Sequence, residues 1–174
     1  MELSGGSSYI IRPCREKDLD QVLEVEREAF PDPYDLFTFS QLLSVEPGGF
    51  FVAEEDGLVL GYVAAASRAE EAMIYSIAVR SGSRRRGIAR LLMQAELGYL
   101  SKRTARVYLQ VSVNNAAAIA LYEHLSFVRT GRLRKYYSNG DDAILMSLNP
   151  KSATAQASVD VGGAGGSGGG GVLP

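Results

Sequence analysis

Residues Arg84 to Met93, RRRGIARLLM, restrict the fold of this chain more than any other stretch. They follow an apolar run, Met73 to Val79, whose composition and length read as a buried strand. They also open a helical pattern, with Ile88, Leu91, Leu92 and Ala95 at i, i+3, i+4 and i+7. A helix start carries unpaired backbone N–H groups and the positive end of the helix dipole. A loop of successive N–H groups leading into it forms a nest for an anion. Gly87 lets the backbone approach a phosphate, Ala89 adds little bulk, and Arg84, Arg85, Arg86 and Arg90 surround the opening with positive charge. The reading is a pyrophosphate cradle between a strand and a helix. The competing reading is a solvated basic turn before an ordinary amphipathic helix. No Gly-Lys-Ser/Thr follows, so this is not a P-loop, and Gly-x-Gly-x-x-Gly is absent.

Composition limits what can surround that unit. A chain of 174 residues that is 46% hydrophobic suits one domain with its own core. A net charge of −2 supplies no general pull toward nucleic acid or an acidic membrane surface. The arginine run lacks the interleaved aromatics of a nucleic-acid stripe. The single cysteine, Cys14, excludes an internal disulfide and fits a reducing cytoplasm, where it reads as a packed small side chain. MELSGGSS has neither the basic region nor the apolar core of a signal peptide. No apolar run approaches the ~18 residues of a membrane helix. Expected, therefore, are a cytoplasmic location and no membrane, nucleic-acid or metal partner. Oligomeric state is not set by these features.

The chain divides into a flexible leader at 1–8, a folded domain at 9–149 and a disordered Gly-rich tail at 150–174. Tyr9 to Arg12 reads as a strand. A helix follows from about Glu16, with Leu19, Val22, Leu23, Ala29 and Phe30 on its apolar side and no Ser, Thr or Asp cap at Arg15. Pro31 and Pro33 stop it and stiffen FPDPYD, which presents Asp32 and Tyr34. A short helix over 37–44 precedes strands at 50–54, 58–66 and 72–79. After the cradle helix come a strand over 106–113 and a helix over 116–125, with Asn115 placed to cap it. Ala118, Leu121, Tyr122 and Leu125 share one face of that helix. Segments 128–136 and 143–148 read as a hairpin around Asn139-Gly140, with Tyr136 and Tyr137 just before the turn.

Three stretches carry a family resemblance. IYSIAVRSGSRRRGIARLLM, followed by NNAAAIALYE and YYSNGDDAILM, resembles the GNAT superfamily of acetyl-CoA-dependent N-acetyltransferases. Within it the chain is most similar to bacterial ribosomal-protein alanine N-acetyltransferases and archaeal N-terminal acetyltransferases. The resemblance spans Tyr9 to Leu148. It implies an α/β (α+β) domain with a mixed sheet of about six or seven strands, helices on both faces and a cofactor cleft between two splayed central strands. It implies acetyl-CoA as co-substrate, held by the Ile77, Ala78 and Val79 backbone, by Arg84 to Arg90 (Ile88 and Ala89 included), and by Asn115. It implies protein or peptide N-termini as acceptors, ribosomal proteins among the candidates, with Asp32, Tyr34, Tyr136 and Tyr137 on the acceptor side.

Acyl transfer to an amine needs a neutral amine, donors for the oxyanion and a proton for the leaving thiolate. The resemblance makes Tyr122 the acid; by spacing alone it is equally a core tyrosine on an apolar face. Bacterial relatives carry a glutamate base on the strand before the Asn-capped helix, and here that position is Gln110. An amide accepts no proton near neutral pH. His124 lies off the apolar face of its helix and offers no obvious substitute. An α-amine, of pKa about 8, is roughly one-tenth neutral at pH 7, against about one part in 2500 for lysine. Gln110 therefore favours an α-amine acceptor, with Asp32 holding the amine or a water. The alternatives are acetylation of lysine or a small amine, and a non-catalytic acetyl-CoA-binding module.

Overall fold

The computed structural model describes residues 8–152. Most of the leader and most of the Gly-rich tail expected at the two ends lie outside that range. Strands β1 (Ile10–Pro13), β2 (Phe50–Glu55), β3 (Leu58–Arg68), β4 (Glu71–Val79), β5 (Arg106–Ser112), β6 (Val128–Leu133) and β7 (Ala143–Leu148) form one sheet. Their order is β1-β2-β3-β4-β5-β7-β6. Only β4 and β5 pair in parallel, as a crossover through a helix requires. The helices are α1 (Leu19–Ala29), α2 (Leu36–Val45), α3 (Ile88–Leu100) and α4 (Ala116–His124). Among the described residues, no helix is long and apolar enough to cross a membrane.

The two faces of the sheet bury separate cores. On one face Leu19, Val22, Leu23 and Val25 of α1 and Phe39 and Leu42 of α2 cover Phe50, Val52, Val59, Tyr62 and Ala64. Cys14 belongs to this core, and burial pushes its thiol up to about 12, as for an inert packed side chain. On the other face Ile88, Leu92, Met93, Leu97 and Leu100 of α3 meet Ala118, Ile119 and Tyr122 of α4 over Val107, Leu109, Val111 and Met146. Each fully buried aliphatic contributes roughly 1.5–3 kcal/mol. Leu91, expected on the apolar stripe of α3, is exposed. The stripe instead runs through Glu96, which is 0% exposed and has no hydrogen-bond partner for either carboxylate oxygen.

The feature that opens the molecule is a bulge in β4. Ala64 of β3 pairs with Ser76 and Ala65 with Ile74, so Tyr75 is an extra residue in β4. Beside it the β4–β5 pairing stops. The parallel register covers Glu71 with Arg106, Ala72 with Val107 and Met73 with Tyr108, and goes no further. A bulge bends its strand and increases its twist. Beyond Met73 the two central strands separate into a V, with the β4 edge of Ser76 to Val79 facing the gap.

Two local expectations are corrected. Strand β6 ends at Leu133, three residues short of the expected end at Tyr136. Lys135 takes φ 47° and donates its N–H to Asp142 at 2.8 Å, and this turns the chain off the ladder. The connection to β7 is consequently a loop over 134–142 rather than a tight hairpin. The Asn139-Gly140 turn survives inside it, closed by Gly140 N–H to Tyr137 O at 2.9 Å. At the other end of the chain, Asp18 supplies what Arg15 lacks as a cap, accepting the Arg15 N–H at 2.7 Å.

Candidate active site

The loop between β4 and α3 is built around two left-handed residues. Arg85 has φ 63° and Gly87 φ 76°, with Arg86 between them. Such alternation turns successive N–H groups toward one concavity. The first intrahelical bond of α3 is Leu91 N–H to Gly87 O, 3.1 Å. The N–H groups of Ile88, Ala89 and Arg90 therefore have no helical partner, and no side chain caps the helix start. A Cβ placed on Gly87 would meet nothing within 4 Å, so the space above the turn is open. An uncapped, uncovered helix start with convergent donors fits an anion such as a pyrophosphate.

The arginines of this loop divide their work. The Arg86 guanidinium pairs with Glu55 at 2.6 Å and lies 5.3 Å over the Tyr9 ring, while the Tyr9 hydroxyl donates to Arg86 O at 2.9 Å. Its side chain anchors the turn to β1 and β2, and only its backbone faces the cradle. Arg84 donates its Nε to Val79 O at 3.3 Å. Arg85 and Arg90 are exposed.

Across the cleft, Asn115 caps α4 by accepting the Ala118 N–H at 3.1 Å. This fixes the helix that carries Tyr122. The Tyr122 ring is 5% exposed and packs 5.9 Å from Phe127. Burial, and then its neighbour Tyr137, raise the phenol above its ordinary pKa. It therefore stays protonated and able to donate. Gln110 sits half-buried on β5, in register with Leu145, between Leu109 and Val111, which face the α3–α4 core. Its side chain thus lies on the α1 face of the sheet. His124 ends α4 and is exposed.

The residues expected on the acceptor side lie on loops far apart in sequence. Asp32 Oδ2 accepts the Ser138 N–H at 3.3 Å and also the Ser138 hydroxyl, which ties the α1–α2 loop to the β6–β7 loop. Tyr34 meets Phe39 edge-on at 6.0 Å and donates its N–H to Glu26 Oε1 at 2.9 Å. Tyr136 and Tyr137 pack edge-to-face at 5.1 Å. Burial raises Tyr137 to about 12, with Tyr136, Tyr34 and Asp141 adding to the shift. Burial also raises Tyr34, with contributions from Tyr136, Glu26 and Tyr75. The structure thus brings Tyr34, Tyr136 and Tyr137 together beside Tyr122, and joins Asp32 to them through Ser138. Sequence reading missed Tyr75, Ser138 and Glu26. Tyr75 looked like an ordinary strand residue because the bulge that turns it outward leaves no mark in the composition. Glu26 carried one available signal, a charged residue three positions after Leu23 on a helix face otherwise read as apolar.

The splayed central strands, with an uncapped glycine turn on one side and a buried phenol on the other, form the cleft. Residues 17–127 match the acetyltransferase (GNAT) family. An N-alpha-acetyltransferase of Sulfurisphaera tokodaii is 36% identical over 160 residues, covering 84% of this chain and 96% of that protein. The [ribosomal protein bS18]-alanine N-acetyltransferase of Escherichia coli K12 is 33% identical over 135 residues, covering 75% and 90%. The crystal structure of Ard1 from Thermoplasma volcanium superposes with a TM-score of 0.78 at 29% identity, covering 81% of this chain and 97% of that one. The chain belongs to the GNAT family and is an N-acetyltransferase.

Proposed function

We propose that this enzyme transfers acetyl groups from acetyl-CoA to the α-amine of protein N-termini. The observation that carries this reading is the joining of two loops by Asp32 and Ser138, with Tyr34, Tyr136 and Tyr137 gathered beside Tyr122. Such an arrangement suits a chain terminus entering end-on. The names of the relatives from Sulfurisphaera tokodaii and Escherichia coli support the same acceptor class.

Acetyl-CoA supplies an activated acetyl thioester. The N–H groups from Arg85 to Arg90, with Arg84, Arg85 and Arg90 around them, hold its pyrophosphate. The β4 edge from Ile77 to Val79, unpaired beyond the bulge, offers backbone groups to the pantetheine arm and N–H donors to the developing oxyanion. Asn115 orients the start of α4 beside the same cleft. Tyr122 gives its proton to the departing sulfur. A phenol and a thiol have comparable ordinary pKa values, and burial keeps the phenol neutral, holding its proton until it is needed. Asp32 offers a carboxylate to the incoming ammonium, with Tyr34, Tyr136 and Tyr137 enclosing the first residues. Gln110 orients the amine or a water without accepting a proton. Work on ribosomal or other newly made N-termini would place the enzyme in the cytoplasm.

Two peptides of one sequence, each with a single lysine, test this. One has a free N-terminus and the other an acetylated one. Faster acetyl transfer to the free peptide is expected. Faster transfer to the blocked peptide would make lysine the target and reject the proposal.

A further inference from the structure

The mechanism above leaves the amine without a proton acceptor, and a group it does not use lies behind the cleft. Glu26 of α1 is 1% exposed. Its Oε1 accepts the Tyr34 N–H at 2.9 Å. Its Oε2 accepts the Tyr62 hydroxyl and the Ser76 hydroxyl, the latter at 3.0 Å. The two hydroxyls are themselves 2.7 Å apart. A buried carboxylate with this many donors is fully satisfied as an acceptor. None of the described ion pairs includes it. The titratable groups facing it are Tyr62 from β3 and Tyr34 from the α1–α2 loop.

Of the three side chains in this cluster, Tyr62 is 0% exposed, Glu26 1% and Ser76 7%. Ser76 is the most exposed of the three. Tyr62 is held well above its ordinary range, by burial first and by Glu26 next, so it is a fixed donor rather than a path for protons. Ser76 is the first residue after the bulge. Counting on from the pair Met73–Tyr108, with Tyr75 left out as the bulged residue, Ser76 comes level with Gln110 across the open cleft. Both side chains lie on the α1 face of the sheet, since their neighbours Ile77, Leu109 and Val111 belong to the opposite core. Ser76 thus occupies on β4 the place that Gln110 occupies on β5, and it has a carboxylate behind it.

We propose that Glu26 receives the proton of the acceptor amine through the Ser76 hydroxyl. The inference rests on the N-terminal acetyltransferase reading for the identity of that amine. An N–H bond of the ammonium breaks as its proton passes to the Ser76 oxygen, directly or across one water. The Ser76 proton passes in turn to Glu26 Oε2, and the carboxylate becomes a carboxylic acid. The neutral amine then attacks the thioester carbonyl. The second proton lost by nitrogen goes to the Tyr122 phenolate that remains once the phenol has protonated the sulfur, which restores Tyr122. The proton on Glu26 returns to water by the same path after transfer.

The test is steady-state acetylation of a peptide with a free N-terminus, from about pH 6.5 to pH 9, by wild type, Ser76→Ala, Ser76→Thr, Glu26→Gln and the double variant Ser76→Ala/Glu26→Gln. An α-amine of pKa about 8 is roughly one-tenth neutral at pH 7, so both alanine and glutamine variants should lose about tenfold in kcat there and approach wild type near pH 9. Both KM values should stay within about threefold. Threonine keeps the hydroxyl and should restore turnover. The double variant should be no worse than either single one, because both act on one path. Wild-type turnover in Ser76→Ala at pH 7, a loss equal at every pH, or losses that multiply in the double variant would each overturn the relay. If Glu26→Gln fails to fold, the alanine and threonine variants decide alone, since Ser76→Ala leaves the Tyr34 and Tyr62 bonds to Glu26 in place. A wild type that acetylates only the lysine of a blocked peptide rejects the N-terminal reading, and the same variants then report the relay on that amine. A wild type that acetylates no amine overturns both.

Discussion

The two sides of the cleft are made from different materials. The proposed cofactor side is mostly backbone: a glycine turn, a helix start without a cap and a strand edge without a partner, with arginines at the rim. The proposed acceptor side is side chains, held by a carboxylate-to-serine contact between residues 106 positions apart. A backbone site depends on conformation at one or two positions and tolerates change elsewhere. A side-chain site depends on each group, and each can be altered without moving the chain. Changes on the cofactor side should therefore act on acetyl-CoA affinity, and changes on the acceptor side on turnover and peptide selectivity.

The strongest way to break that contrast is Gly87→Glu. It places a carboxylate in the anion nest and forces a side chain into left-handed backbone. Loss of measurable acetyl-CoA binding by calorimetry is expected, with the fold retained by circular dichroism. Retained affinity would show that the nest is not the cofactor site.

Tyr122→Phe comes next. About a hundredfold loss in kcat is expected, with acetyl-CoA affinity within a few-fold, because only a transferable proton is removed. Unchanged turnover would return Tyr122 to a packing role.

The third test concerns Glu96 in the middle of the cofactor-side helix. Burial, and then the nearby Glu46, raise its carboxyl from 4.5 to about 8. Unfolding restores the ordinary value, so between these limits the folded state binds more protons than the unfolded one. Stability therefore falls as pH rises through that window, by on the order of 2 kcal/mol over about two pH units. Glu96→Gln should flatten the slope in denaturant melts at about pH 5.5 and pH 7.5 and leave acetyl-CoA binding intact. An equal slope in both proteins would place the cause elsewhere.

Asp32→Asn should have the smallest effect. It weakens an exposed charged hydrogen bond worth about 1 kcal/mol, so the peptide KM should rise roughly fivefold. The KM for acetyl-CoA should not move. If it does, the two sides of the cleft are coupled and the contrast between them is too sharp.

The same contrast explains what was legible in the sequence. The turn and helix start after β4 could be read because Gly87 and the stripe begun by Ile88 are local and leave a mark in spacing. The strands β2 to β5 could be read to within a residue or two because their apolar runs are bounded by turns. The end of β6 could not, because Lys135 and Asp142 turn the chain through a contact between side chain and backbone. Gln110 stood out only against a family pattern. Glu26 looked like one more charge on a surface helix. Its burial depends on Tyr62 and Ser76, which are 36 and 50 positions away. Asp32, Tyr34, Tyr136 and Tyr137 stood out as residue types, but the serine contact that joins their two loops left no mark in the sequence.

One extra residue in β4 has a mechanical consequence. The cleft is a mismatch in length between neighbouring strands: β3 holds β4 on one edge, and Tyr75 takes up one residue that β5 cannot match. The β4–β5 ladder stops at Met73, two residues before Tyr75, and the gap opens from there. The opening is therefore written into the chain as a count, and no hinge or moving lid is needed to create it.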